Sequence, residues 1–566
     1  MVTFIASILL VVYAANIRNP YMLLFVVLGF LIAFALIVKK HNAVKFSLKT
    51  TQFIVRVNEE EIQRKTGNMT GIFDGKEFED SQHSYARDLD VLGSNSLFQF
   101  VVRSRLDKSR KLAAQWLLNP TAKKEILDRQ EAIEELKNEL DWRQQFTALG
   151  MHAESNKEET SDQVDQFVEW IAGESTFQIP SYLKVVAVLM PCISLIALAL
   201  IAAFGFPYQI IFFPVLVNLI FLKITFMPLL DFTKKFNEVA KILKSYEVLI
   251  AAVENRTFTS KKLQVLKSDL FSDNIRASKA IRSLRAILMQ LLNRANMFYS
   301  IVNVLFLLDA IWLLQANSWK KKYGRNVQKW FSSLQEIDVL NDMASMAFAN
   351  PDFINPKQSD NNFQLTAISL GHPLIHSDRI TNDFEINGSG SIGLVTGSNM
   401  SGKSTFLRTV GINLVMAQVG LPVCASSFEY SATRVFTSMR TEDNLAEHIS
   451  SFYAELFRIK RLLDSINDEP VFFLLDEILK GTNSEDRHSG SIALVDQLSH
   501  KNATGLISTH DLKLSKYENK SIKNYSFNST IEGDEILFDY KLTNGPCRSF
   551  NASKLMEKMG IIVKKG

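Results

Sequence analysis

The sequence predicts a multidomain α and α/β protein: a helical region carrying four transmembrane helices, then a C-terminal phosphate-loop α/β domain. Three observations carry that prediction. Residues 397–405 read GSNMSGKST, matching G-x-x-x-x-G-K-[ST] at Gly397, Gly402, Lys403 and Ser404. Two stretches, one at the N-terminus and one over residues 185–222, are apolar and uncharged. Between and after them the spacing is helical, until strand and helix patterns alternate from residue 347 to 566.

Residues 1–17 carry no charge, and residues 21–38 are 18 uncharged positions, with Arg18-Asn19-Pro20 as the break between them. The second run meets the length of a membrane-spanning helix and the first is marginal. A signal peptide would explain the first run, but a basic leading segment is missing and the apolar sequence resumes at once. A transmembrane hairpin over residues 1–40 is therefore expected. Lys39, Lys40 and Lys45 place its far end in the cytoplasm.

Residues 41–183 are polar and helical in pattern. Residues 111–118 and 122–149 show apolar spacings of three and four, as at Ile126, Ile133, Leu136 and Leu140. Glu131, Glu134 and Glu135 lie largely off that stripe, as on a solvated helix face. A second hairpin is expected over residues 184–230. Its 38 consecutive uncharged positions (185–222) have a turn-like GFPYQ near the middle, and lysines 184, 223, 234 and 235 flank it. Both ends are then cytoplasmic, consistent with the first hairpin. Pro191 and Pro214 are tolerable inside membrane helices. Residues 231–346 return to helical spacing. Residues 297–314 are apolar enough to raise a fifth span, but Asn303 and Asp309 favour a buried helix of a soluble domain. A fifth span would also put the phosphate loop across the membrane.

The whole chain is nearly balanced, with 63 basic and 59 acidic residues for a net charge of +4. That is not the strong basicity of a protein that coats nucleic acid. Cys192, Cys424 and Cys547 are scattered without a C-x-x-C pair, which implies neither a disulfide framework nor a zinc site.

Within residues 347–566 the phosphate loop sits between a strand pattern (Ser391 to Thr396) and a helix pattern (Phe406 to Val419). In that context the backbone N–H groups from Ser398 through Asn399, Met400, Ser401, Gly402 and Lys403 to Ser404 can face phosphates at a positive helix N-terminus. Lys403 would reach the β- and γ-phosphates of ATP, and the Ser404 hydroxyl, beside Thr405, would bind Mg²⁺. Gly388, Gly390 and Gly393 spell G-x-G-x-x-G but precede the strand, so they read as a loop. Residues 471–477, VFFLLDE, form an apolar strand ending in two acids, with Asp476 beside Mg²⁺ and Glu477 able to take a proton from water. Residues 506–510, LISTH, end a further strand with His510, a γ-phosphate sensor by position.

These residues resemble the MutS family of DNA mismatch repair ATPases. The string TGSNMSGKSTFLRTVG, with its Asn399-Met400 pair, is similar to that family's phosphate loop, and LLDE followed by GTNS to its acidic strand and next loop. Residues 443–446 (DNLA), Ser450-Ser451-Phe452 and Glu455 look like its signature segment, and Ser508-Thr509-His510 like its His loop. His372-Pro373-Leu374-Ile375 resembles the entry into the ATPase domain, and Tyr540-Lys541-Leu542 with Gly545-Pro546 the closing strand. The likeness is dense from about residue 336 to 562 and weaker from 88 to 149, where it looks like the start of the family's lever domain.

The resemblance implies an ABC-type ATPase at residues 347–566, preceded by a lever in two parts, 41–183 and 231–346. It implies a homodimer packed head to tail, in which Ser450 or Ser451 of one subunit contacts the γ-phosphate held by Lys403 of the other. Asp476 would hold Mg²⁺, Glu477 would be the general base, and Asn399 would help orient the nucleotide. The departures are equally specific. There is no room before Asp88 for mismatch-reading and connector domains, and Phe167-Val168-Glu169 matches the reader's letters only inside the lever region. The second apolar hairpin falls where the family's DNA clamp is inserted. The adenine-stacking aromatic falls near Arg379-Ile380, neither of them aromatic. The chain stops soon after the closing motif. DNA is thus an expected partner from the resemblance, with a membrane-anchored, multi-pass protein as the setting and its large domains cytoplasmic. The alternatives are a membrane assembly or transport-type ATPase that binds no DNA, and an anchored scaffold with slow turnover.

Overall fold

The computed structural model describes residues 20–154, 160–173, 181–272, 275–440, 451–466, 469–532 and 535–547. Helix α1 (Pro20–Thr66) is 47 residues long and passes residue 40 without a break, so the apolar run and the charged stretch after it are one helix. Residues 1–59 form one unit and residues 60–566 another.

In the second unit, α2 (Asp107–Leu118), α3 (Lys123–Lys137) and α4 (Leu140–Glu154) follow in turn. The periodic stretch 122–149 is therefore two helices, not one. The Arg143 guanidinium explains the break: Nε and Nη2 donate to the carbonyls of Leu136 and Lys137, which α3 leaves open at its C-terminus. Ile126, Ile133 and Leu136 are buried, whereas Leu140, beyond the break, is exposed. Glu131 and Glu134 are solvated as expected, but Glu135 accepts from the N–H groups of Thr259 and Ser260. It thereby caps the next helix, α8 (Lys261–Asp269), once α5 (Thr160–Ala172), α6 (Ser181–Phe204) and α7 (Phe212–Glu254) have intervened. Phe167 is buried in α5 and stacks on Trp170, a packing role that suits no reader.

The expectation of four transmembrane helices does not hold as stated. Residues 1–17 lie outside the described residues. Among the described residues one helix, Tyr182–Phe204, is long and apolar enough to cross a membrane, while Tyr208–Lys223 is apolar but shorter. After α9 (Ala277–Leu292), residues 297–314 are not one buried helix. They form α10 (Met297–Phe306) and the start of α11 (Leu308–Ala349), bent by 82° at Leu307, whose backbone is left-handed. Asp309 is buried as expected, with Arg294 Nε at 3.0 Å and the Tyr299 hydroxyl at 2.9 Å. Met297 and Phe298, by contrast, are largely exposed.

The C-terminal part contains two sheets. The smaller has strand order β1 (Lys357–Gln358), β5 (Ser427–Tyr430), β2 (Gln364–Leu370), β3 (Asn382–Asn387). The larger comprises β4 (Ile392–Gly397), β6 (Arg434–Ser438), β7 (Val471–Asp476), β8 (Ala503–Thr509), β9 (Ile522–Glu532) and β10 (Glu535–Asn544), in the order β10-β9-β4-β8-β7-β6. All its pairs are parallel except β9 with β10. The central strands β4 and β8 are buried throughout, as continuous apolar runs in a covered parallel sheet should be. Helices α12 (Lys403–Val419), α13 (Ser451–Ser465) and α14 (Ser484–Ser499) belong to this part. Ile459 and Leu462 of α13 and Leu494, Val495 and Leu498 of α14 share one apolar core with Phe473, Leu475 and Ile507 of the sheet.

Candidate nucleotide site

Parallel register brings the candidate residues together. Thr509 of β8 pairs with Thr396 of β4, and Ser508 pairs with Asp476 of β7, so three strands end side by side. The segments leaving them carry the phosphate loop, Glu477 and His510. A crevice at the carboxyl ends of parallel strands is where such sheets bind ligands.

The loop is tightly wound from β4 into α12, which begins at Lys403 itself, three residues before the sequence pattern indicated. A Cβ on Gly397 would stand 2.8 Å from the Phe527 carbonyl oxygen, and Gly402 holds a φ of 102°, so both glycines are required by the backbone. Lys403 is buried and donates from Nζ to the carbonyls of Gly397 (3.1 Å) and Ser398 (2.9 Å). Burial pulls its pKa below the ordinary lysine value, against the opposing charges of Glu477 and Asp476. Asn399 and Met400 form the exposed tip of the loop, and Ser404 and Thr405 open the first turn of α12.

The acidic side is held by β8. The Ser508 hydroxyl donates to Asp476, and the Glu477 N–H donates to the Ser508 carbonyl (3.1 Å) and hydroxyl oxygen (3.2 Å). Glu477 is in the left-handed region, φ 52°, which turns its side chain out of the strand direction. Its Oε1 lies 2.6 Å from His510 Nε2 and its Oε2 lies 3.0 Å from Lys480 Nζ. These partners, His510 foremost, pull the Glu477 carboxyl down to about 2 against the effect of burial. His510 Nε2 is also 3.4 Å from Lys403 Nζ. Lysine, histidine and glutamate therefore form one contiguous cluster.

Three residues that the sequence placed only within motifs gain a role from the structure. Ser508 orients both acids, and only strand register reveals it. Glu455 of α13 accepts from the N–H groups of Leu479 and Lys480, pinning the loop after Glu477. Tyr540 of β10 supplies an aromatic ring beside the phosphate loop. It lines a cavity of about 240 Å³ with Arg379, Ile380, Gly402, Thr405 and Phe406. The closing strand thus brings an aromatic ring to the cavity beside Arg379-Ile380, a placement that the sequence did not show.

A second cavity, about 410 Å³, lies on the other side of Glu477, between Arg440, Tyr453, Arg458, Asp476 and Lys480. Asp88 borders it and accepts from Thr437 Oγ1 (2.7 Å) and from the N–H groups of Met439 and Arg440 (3.1 Å each). Ser450 lies outside the described residues. Ser451 opens α13, and its side chain is likewise not described.

The residues present fit a nucleoside triphosphate with Mg²⁺. Among the described residues, Ser398 Oγ and Ser401 Oγ are buried without a hydrogen-bond partner, in a loop whose N–H groups begin a helix. One carboxylate, Asp476, and one hydroxyl, Ser404, suit a cation that keeps several waters. Fold and site together define a phosphate-loop nucleotide-binding domain.

Comparison with known proteins narrows that class. Residues 393–561 match the family model described as MutS domain V. The chain is 31% identical over 229 residues to the DNA mismatch repair protein MutS of Alkaliphilus metalliredigens, covering 39% of this chain and 26% of that protein. It is 32% identical over 234 residues to MutS of Methanosarcina barkeri (39% and 26%), and 31% identical over 230 residues to MutS protein homolog 4 of Mus musculus (37% and 23%). On these matches the C-terminal part of the chain is similar to MutS proteins, and residues 393–561 carry a MutS domain V. The likeness spans about a quarter of the length of those relatives.

Proposed function

We propose that the chain is a membrane-anchored, Mg²⁺-dependent ATPase of MutS type, working as a homodimer with composite sites. The observation that carries this reading is the convergence of Lys403, Glu477 and His510 at the ends of β4, β7 and β8. Lys403 and the loop N–H groups would bind and orient the β- and γ-phosphates, while Tyr540 would cover the base in the adjoining cavity. Ser404 and Asp476 would hold Mg²⁺, which neutralises phosphate charge when bound. Glu477, ionised at neutral pH, would accept the proton of the attacking water once His510 turns toward the γ-phosphate. Ser450 or Ser451 of a second copy would complete the site.

Closure of the dimer would move the helices ahead of the domain. Asp88 supports that coupling, because its carboxylate ties the start of the lever to the backbone leading into residues 441–450. The apolar helix α6 and the shorter apolar start of α7 support membrane anchoring, with the other domains cytoplasmic. The matched relatives are named as DNA mismatch repair proteins, so ATP-dependent DNA binding is one reading of the cargo. The apolar hairpin at the position of the family's clamp favours a second, a membrane assembly or transport-type ATPase without DNA.

ATP turnover by purified protein with and without Mg²⁺ tests the engine, and turnover unchanged in Lys403→Ala would refute the site. Binding to homoduplex and mismatched DNA across a salt series separates the cargo readings. Salt-dependent binding supports DNA, and none at low salt supports the membrane reading.

A further inference from the structure

Helix α10 exposes Met297, Phe298, Ile301 and Val302, at 70%, 73%, 52% and 40% of their full accessible surface. Their spacing of one and four residues puts them on one helical face. This face is continuous with the hairpin. Leu307 and Ala310 at the bend share an apolar cluster with Leu183, Ala187 and Met190 of α6, with Val217, Phe221 and Leu222 of α7 packed against it. The hairpin in turn exposes Val188, Leu189, Leu195 and Ile196 on α6, and Phe213, Leu216 and Ile220 on α7. Monomeric soluble proteins rarely present a contiguous apolar surface of this kind.

The open backbone carbonyls at the bend are satisfied from within, although Asn218 Oδ1 is buried without a hydrogen-bond partner among the described residues. Buried Asn218 of α7 donates from Nδ2 to the carbonyls of Val304 (2.8 Å) and Leu305 (2.9 Å), which the end of α10 leaves open. Asn303 Oδ1 accepts from the Asp309 N–H (2.8 Å), and Asp309 is paired with Arg294 and Tyr299. A helix end whose carbonyls are taken by a neighbouring helix suits hydrocarbon surroundings, where water cannot solvate them. Around this apolar surface stand Lys184 and Lys223, both exposed.

We propose that α10 is an interfacial membrane helix: with the α6–α7 hairpin it docks on a lipid bilayer, its cationic rim toward anionic headgroups. The inference rests on the membrane-anchored reading and extends it. The anchor then includes the root of α11, a 42-residue helix ending at Ala349, just before the first strand of the nucleotide domain. At 1.5 Å per residue α11 is about 63 Å long, a direct mechanical link from the bilayer to that domain.

The test uses the full chain reconstituted in vesicles of phosphatidylcholine and phosphatidylglycerol, with an environment-sensitive thiol fluorophore. Cys192, exposed on α6, carries the probe in one sample. In the other, Phe298→Cys carries it in a Cys192→Ser background. Spin-labelled lipids bearing the quencher near the headgroup or deep in the acyl chain then read the depth. The inference expects loss of emission at Cys192 with the deep quencher and at position 298 with the shallow one. Quenching at Cys192 with none at position 298 overturns the inference and leaves the anchor standing. No quenching at either overturns both. A probe at position 298 that is shielded only as protein concentration rises, in lipid-free detergent, would mean that a second copy covers α10, and would also overturn it.

Discussion

Two pairs of acids lie in chemically opposite surroundings. Asp476 and Glu477 stand at a strand end, facing Lys403, His510, Lys480 and the Ser508 hydroxyl, and Glu477 is pulled down to about 2. Asp338 and Asp342 lie one turn apart on α11, both buried. Burial pushes both upward, and the charge of Asp338 pushes Asp342 further. Arginines near this second pair oppose that rise without overcoming it, and they also pair with other acids. Arg103 is held in a two-pronged pair by Glu61, at 2.9 Å on each arm, and Arg105 pairs with Glu60. Ser104 donates its hydroxyl to Asp342, whose other oxygen has no hydrogen-bond partner among the described residues. Burial therefore outweighs the arginines near the second pair, whereas at Glu477 the direct contacts with His510 and Lys480 outweigh burial. Glu477 is thus held toward its charged form, whereas burial favours the protonated form of Asp338 and Asp342.

The contrast is broken most strongly at Glu477. Glu477→Gln should cut ATP turnover about 10³-fold while leaving nucleotide binding intact, whereas Asp338→Asn should leave turnover within a few fold. Single-turnover assays alongside filter binding decide it, and equal losses in the two variants would erase the distinction. Next in size, His510→Ala should lower turnover about 10²-fold and free Glu477 from its principal partner. The Glu477 carboxyl then rises from about 2 toward its ordinary 4.5, so the acid limb of the rate profile moves to higher pH. An acid limb that stays in place would show that His510 does not set the Glu477 charge.

Tyr540→Ala probes the same site away from its charges. It should raise the KM for ATP about tenfold with kcat retained, the worth of one stacked base. The smallest effect is expected at Asp342→Asn. A carboxyl raised in the folded state holds a proton that the unfolded chain releases. Wild-type stability is therefore fullest below the ordinary carboxylate range and declines as pH rises through the raised value. The amide mimics the protonated form and should flatten that decline, a difference of roughly 2–4 °C in Tm per kcal/mol at alkaline pH. Parallel melting curves from pH 5 to pH 9 would show it, and identical slopes would place Asp342 among ordinary ionised acids.

Much of the site was legible in the sequence because its chemistry is local. Gly397, Gly402, Lys403 and Ser404 are set by one loop, and Asp476-Glu477 by the end of one strand. The helical region was legible in kind but not in its breaks. The split at Asn138 depends on Arg143 capping α3, and the bend at Leu307 accompanies an Asn218 contact made from a helix some 86 residues earlier in the chain. Four spans were expected from length and apolarity alone. Yet the second apolar stretch does not end as a separate span: α7 runs on through Lys223 as one helix to Glu254.

By itself, then, the sequence determined the nucleotide-binding class, the loop, the acids and the histidine, since short-range spacing dictates a phosphate loop's backbone and a strand's terminal side chains. Tertiary structure decided what those parts face. Parallel register sets Ser508 beside Asp476, and pairing of β10 onto β9 carries Tyr540 to the cavity beside Gly402. It also decided that Glu477 is pulled toward its charged form while burial pushes Asp342 upward, because a pKa is a property of neighbours brought in by folding.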